Sequence, residues 1–320
     1  MPITLRAGNI AASRRVPGCM NVRTQLLVTS LATIVGHGCS ATTPAASSAP
    51  VATPADSQPA TAPAAASAGA PVSAPDWPAY FGDQTGCFAM LTTPGDTWVM
   101  NDEPRCRQAF HPFSTFKITN ALIGLETGAV ADADTVIEWD PTVYPAEDWW
   151  PEGWRQRNDL RSAYQRSALP YFRALATRIG ANEMNRHVTA FGYGNADTSG
   201  GLDEFWLTGG LRISAVQQIE FLRALHEGRL PVSERARRIV EDIMIHARAD
   251  SYVLRAKTGT GMNQPEHALG WFVGFVERAG RVHYFALNRS GQKFADIPRA
   301  GTIAMAERIL ADLGALPAQP

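Results

Sequence analysis

Ser114-Thr-Phe-Lys-Ile-Thr-Asn-Ala-Leu-Ile-Gly-Leu-Glu-Thr-Gly128 places apolar residues at helical spacing behind a Ser-x-x-Lys pair and ends on a glycine stop. Residues i and i+3 share a helix face, so the hydroxyl of Ser114 and the amine of Lys117 can meet at the start of this helix. Outward from it the period changes in both directions. Upstream, Cys87–Met90 and Thr97–Asn101 read as strands joined through Pro94-Gly95-Asp96, which is a hairpin. Downstream, residues 160–179 read as one helix ending at Gly180, and Ala181–Phe191 as a shorter one. Ser214-Ala-Val-Gln217 is a capping box opening a helix to His226, and Ser233 to His246 repeats the pattern. Tyr252–Thr258, Leu269–Glu277 and Arg281–Asn288 then read as strands, before a last helix from about Pro298 to Leu313. Strands at both ends of a helical middle predict an α+β fold. Its antiparallel sheet is built from N- and C-terminal strands, with helices packed on both faces and an all-helical region.

The chain has 320 residues and a formal net charge of −1, which argues against a phosphate-binding surface for nucleic acid. Its 29 basic residues divide unevenly: 26 are arginine, and the three lysines are Lys117, Lys257 and Lys293. Arginine serves on any solvated surface, but only an amine can give up its proton. The few lysines therefore mark places where a neutral nitrogen is useful.

The N-terminal part divides into a leader region, residues 1–39, and a tether, residues 40–76, ahead of a globular domain, residues 77–320. A basic Arg23, an apolar run from Leu26 to Val35 and the small-residue stretch Gly36-His-Gly-Cys39 have the layout of an export signal, with Met20 as an alternative start. Cys39 after the apolar run suits a lipid anchor, partly resembling bacterial lipoproteins; an ordinary signal cleaved nearby is the other reading. Ala, Pro, Ser and Thr supply 30 of the 35 residues from Ala41 to Pro75, a composition that cannot bury enough apolar surface to fold. Export to the bacterial periplasm is expected. In an oxidising compartment Cys87 and Cys106 can form a bridge beside the hairpin, two buried thiols being the alternative.

Ser114 needs a base beside it, and Lys117 is placed to be one. Lys257-Thr258-Gly259 on an edge strand can hold an extended ligand by backbone pairing while the Lys and Thr side chains reach its polar groups. Both motifs in this order leave little room for coincidence. The series Ser114-Thr-Phe-Lys117, Ser167-Ala-Leu169, Tyr193-Gly-Asn195 and Lys257-Thr-Gly259 resembles that of class D (OXA-type) serine β-lactamases, relatives of penicillin-binding proteins. The resemblance runs from about Gly86 to the last helix.

It implies hydrolysis of β-lactam antibiotics through an acyl-enzyme on Ser114. Lys117 would carry a carbamate formed from carbon dioxide and act as general base, within a pocket of Phe116, Leu169 and Trp206; Trp206 would donate its indole N–H to that carbamate. Ser167 and Lys257 would pass a proton to the leaving nitrogen. The N–H groups of Ser114 and Thr260 would form the oxyanion hole, Thr258, Gly259 and Arg299 would bind substrate, and Tyr193 and Asn195 would shape the site. No other cofactor is implied. The sequence departs from the family at Leu169, where Val is usual, and at Phe113, where a small residue is usual.

Other classes fit less well. The seven histidines show no His-x-His or His-Glu-x-x-His spacing, so no metal site is expected. No Glu-x-x-Leu-Asn segment supplies the separate base of class A enzymes. A β-lactam receptor would hang from several spanning helices, which this chain lacks. A cell-wall transpeptidase or carboxypeptidase shares the nucleophile but not the Tyr193-Gly-Asn195 and Trp206 features. The expected partners are small-molecule β-lactams; the sequence does not fix the oligomeric state.

Overall fold

The computed structural model describes residues 75–265 and 267–318. They lie in one compact unit. The leader, Cys39 and nearly all of the tether fall outside the described residues.

A short helix, Trp77–Phe81 (α1), leads into strands Gly86–Thr93 (β1) and Thr97–Met100 (β2), which pair as the expected hairpin. Glu103–Arg107 (α2) follows, capped by Asp102, and a disulfide joins Cys106 to Cys87 of β1. A 3-10 turn, Phe113–Phe116, then runs directly into Lys117–Glu126 (α3). Ser114 thus sits in the tighter turn ahead of the α-helix expected from residue 114.

Two-residue strands Val136–Ile137 (β3) and Asn158–Asp159 (β4) pin the next excursion at its base. Helices Leu160–Arg166 (α4), Leu169–Ile179 (α5), Ala181–Ala190 (α6), Ala215–His226 (α7) and Glu234–Ile243 (α8) complete the helical part. The capping box at Ser214 and Gln217 forms as read, both reciprocal hydrogen bonds being present.

Two expectations are corrected here. The helix expected over 160–179 is broken at Ser167, which adopts the left-handed conformation with φ 56° and ψ 37°. Pro170 gives the physical reason: it has no N–H for the carbonyl of Arg166, and its ring would clash there in a continuous helix. The helix expected to reach His246 stops at Ile243, and Ile245–Ala249 forms a strand, β5.

The remaining strands are longer than the sequence pattern suggested: Tyr252–Gln264 (β6), His267–Arg278 (β7) and Arg281–Gly291 (β8). Arg299–Asp312 (α9) closes the fold. The antiparallel sheet has the order β2-β1-β8-β7-β6-β5, so strands from both ends of the chain lie side by side. Strand alternation divides the core into two layers. Cys87, Ala89 and Leu91 of β1 with Trp271, Val273 and Phe275 of β7 face α3 to α8. Phe88 and Met90 with Phe272, Phe285 and Leu287 face α9 and Phe81 of α1. Apolar residues on both sides of each central strand explain why those segments read as near-continuous hydrophobic runs.

Candidate active site

The break at Ser167 builds the site. Leaving the helical path there turns both oxygen atoms of Ser167 toward α3. Lys117 Nζ lies 2.8 Å from Ser114 Oγ, 2.8 Å from the Ser167 carbonyl and 3.1 Å from Ser167 Oγ. From the other side Lys257 Nζ lies 3.0 Å from the same Ser167 Oγ and 2.9 Å from the Thr258 carbonyl. One hydroxyl therefore stands between two amines. The carbonyl that Pro170 leaves without its helical donor is taken by the indole N–H of Trp154, at 2.9 Å.

Both lysines are buried, Lys117 completely, and among the described residues no carboxylate is a hydrogen-bond partner of either. Burial penalises the ammonium form, and the charge of Arg299 adds to it, so Lys117 falls to about 7. Lys257 is driven well down by burial first, then by Lys117 and Arg299. Near neutral pH a substantial share of Lys117 is thus a free amine 2.8 Å from a hydroxyl, the arrangement a general base requires.

β6 brings the second motif to the first. A side chain on Gly259 would lie 2.7 Å from the Pro112 carbonyl and 3.0 Å from the Thr115 nitrogen, so only glycine lets this strand approach the turn that carries Ser114 so closely. The β5 pairing of β6 runs only as far as Ile245 opposite Arg255, so Lys257, Thr258 and Gly259 occupy an open strand edge. Thr260 is exposed opposite Gly270 of β7, and Arg299 is exposed at the first turn of α9.

Around the lysine, Phe116 stacks on Trp206 with centroids 5.3 Å apart and meets Tyr193 edge-on at 5.6 Å. The indole N–H of Trp206 is buried without a hydrogen-bond partner among the described residues. Leu169 is buried in the first turn of α5, two residues after Ser167. Asn195 ties a neighbouring loop, donating to the Gly210 carbonyl and accepting from the Arg212 N–H, each at 2.9 Å.

Several residues were missed from sequence. The rings of Phe172 and Trp154 lie 5.5 and 5.8 Å from Lys117 Nζ and wall its pocket. Pro170, which forces the break, was the available signal. Phe113 has a positive φ of 49°, and its ring covers Gly261, where an added Cβ would come within 2.2 Å. A bulky residue in that conformation just before Ser114 is held by packing, with the His111 ring 5.5 Å away. Among the described residues no cluster of metal-ligating side chains occurs.

One serine hydroxyl between two buried lysines, beside a sheet with helices on both faces, fits the penicillin-binding class of enzymes. A family model for the penicillin binding protein transpeptidase domain matches residues 85–313. The chain is 39% identical over 214 residues to β-lactamase OXA-48 of Klebsiella pneumoniae, covering 66% of this chain and 78% of that one. It is 37% identical over 219 residues to the probable β-lactamase YbxI of Bacillus subtilis, covering 68% and 79%. The crystal structure of a class D β-lactamase from Nostoc superposes with a TM-score of 0.70 at 34% identity, covering 75% of this chain and 98% of that one. The chain belongs to the class D β-lactamase family and is an enzyme of that class.

Proposed function

We propose that the protein hydrolyses β-lactam antibiotics, penicillins at least, through an acyl-enzyme on Ser114, and so confers resistance to them. The observation that carries this is the single Ser167 hydroxyl standing between Lys117 and Lys257, with Ser114 Oγ 2.8 Å from Lys117 Nζ.

In acylation Ser114 Oγ bonds to the lactam carbonyl carbon while its proton passes to the base at Lys117. The carbonyl oxygen gathers charge against the N–H groups of Ser114 and Thr260. As the C–N bond breaks, Lys257 and the Ser167 hydroxyl deliver a proton to the departing nitrogen. Thr258 and Arg299 hold the substrate carboxylate on the open edge of β6, with Gly259 leaving room for its approach. Water then cleaves the ester, giving the ring-opened acid and free Ser114.

The pocket suits a carbamate on Lys117: the amine is fully buried, titrates at about 7, and Trp206 offers an unpartnered buried N–H. Phe116 and Leu169 complete the pocket in this proposal, and Tyr193 and Asn195 keep its shape. With carbon dioxide bound, that position supplies a carboxylate-like base for both half-reactions. The Cys87–Cys106 disulfide supports export to an oxidising compartment, the periplasm. No helix among the described residues is long and apolar enough to cross a membrane.

Mass spectrometry of the protein with benzylpenicillin, with and without bicarbonate, tests the proposal. An adduct on Ser114 that forms and clears, faster with bicarbonate, is expected. An adduct that never clears would make the protein a β-lactam receptor instead.

A further inference from the structure

Past Arg255, β6 is paired with another strand only on its β7 side among the described residues. Whatever fixes its far end against the turn that carries Ser114 therefore comes from outside the sheet. Asn263 makes such a contact. Met262 pairs with Ala268 and Gln264 with His267, which leaves Asn263 as an extra residue in β6. A bulge of this kind re-aims a side chain. The Asn263 side-chain oxygen lies 3.4 Å from the backbone nitrogen of His111 and 3.1 Å from its Nδ1.

His111 is buried three residues before Ser114, and its polar groups reach three separate segments. Besides Asn263, its Nε2 lies 3.1 Å from the Gly209 carbonyl, three residues after Trp206. Its own carbonyl accepts the indole N–H of Trp271 on β7, at 3.0 Å. Oxygen atoms thus face both ring nitrogens. Burial, and after it the charge of Arg212, lowers the titration of the ring, and the neutral form donates to one oxygen at a time. The backbone N–H holds Asn263 in either case. The Phe113 N–H adds a bond to the Trp206 carbonyl at 3.1 Å, so the same turn is tied to the Trp206 loop twice.

We infer that His111 is a positioning residue: through Asn263 it holds the end of β6, and with it the Thr260 N–H, at a fixed distance from the Ser114 N–H. The inference rests on the hydrolase reading, in which those two N–H groups receive the charge of the lactam oxygen. Thr260 is three residues from Asn263 on one strand, about 10 Å away, so a shift at Asn263 is carried to it by the backbone. A displacement of about 1 Å can cost about 100-fold in rate, so the contact should show in the chemical steps and not in binding.

Asn263→Ala and His111→Leu, singly and together, test this with benzylpenicillin. Asn263 is partly exposed, so its variant remains informative even where His111→Leu does not fold. Each single variant should slow both acylation of Ser114 and clearance of the adduct by at least about tenfold, since both steps put charge on the same oxygen. The dissociation constant of the complex that precedes acylation should stay within about threefold. Phenylboronic acid, whose adduct on Ser114 sets an oxygen between the same N–H groups, should bind each variant at least about fivefold more weakly. The double variant should be no more than about threefold slower than His111→Leu, because both changes cut one contact. Rates near the parent's in Asn263→Ala, losses that multiply in the double variant, or slower rates with unchanged phenylboronic acid affinity overturn the positioning role while penicillin turnover continues. A parent protein that benzylpenicillin never acylates overturns the hydrolase reading instead.

Discussion

Replacing Lys117 by Met removes the amine while keeping an unbranched side chain of similar length. Its effect on stability should depend on pH in a way the buried site dictates. Lys117 titrates at about 7 in the folded protein, against 10.5 for an unhindered lysine. Between those values the unfolded chain holds a proton that the folded chain has released. Stability of the parent therefore rises with pH across that window, at up to about 1.4 kcal/mol per unit. Keeping the amine in its pocket costs folding about 4 kcal/mol at pH 7 and about 2 kcal/mol at pH 9. The hydrogen bonds to Ser114 and Ser167 offset part of this by an amount that changes little with pH. The stability advantage of Lys117→Met over the parent should thus shrink by about 2 kcal/mol between pH 7 and pH 9. The disulfide and the burial that acts first on Lys257 are common to both proteins. Urea unfolding of the pair at pH 7, 8 and 9, in buffer freed of carbon dioxide, measures it. A gap that stays constant over that range would mean Lys117 keeps its proton when buried, and the neutral-base reasoning would be wrong.

The same titration sets the kinetics: in buffer freed of carbon dioxide, stopped-flow acylation of Ser114 by benzylpenicillin should rise about tenfold per pH unit below 7 and level off above it. A rate flat from pH 5.5 to 8 refutes a neutral amine as the base. Ser167→Ala removes the hydroxyl that both lysines share and should lower turnover by about 10²–10⁴-fold with unfolding unaltered beyond about 1 kcal/mol. A loss below tenfold would rule out a shared proton path. Gly261→Ala places a methyl where the Phe113 ring lies and should cost about 1–3 kcal/mol along with activity, both partly recovered by adding Phe113→Leu. Activity of the single variant near the parent's would show that the ring does not hold the nucleophile turn.

Much of the site was legible because its chemistry depends on residue type. Ser114 and Lys117 are three apart at a helix start, and the structure sets them 2.8 Å apart. The capping box at Ser214 and the hairpin turn at Pro94-Gly95-Asp96, which are local devices, also formed where their residues predicted. What escaped notice depended on distant partners. The 160–179 segment has good helical periodicity, and only Pro170 hinted that it must break at Ser167. β5 was hidden because Ile245–Ala249 is a short run whose pairing with β6, not its own pattern, makes it a strand. Phe172 and Trp154 carry no spacing signal that ties them to Lys117; only the closing of α5 and the preceding loop around it brings their rings there.

The amino-acid sequence by itself determined the family and the three side chains on which the proposed mechanism rests, Ser114, Lys117 and Lys257, since those depend on side-chain identity and short spacings along one chain. Only the tertiary structure decided that the two amines would share one hydroxyl and that Lys117 would titrate near neutrality. It also decided that β6 would keep an open edge at Lys257, Thr258 and Gly259. Burial and strand pairing are properties of what surrounds a residue: Lys117 loses its proton because helices, strands and rings far away in the chain exclude water from it.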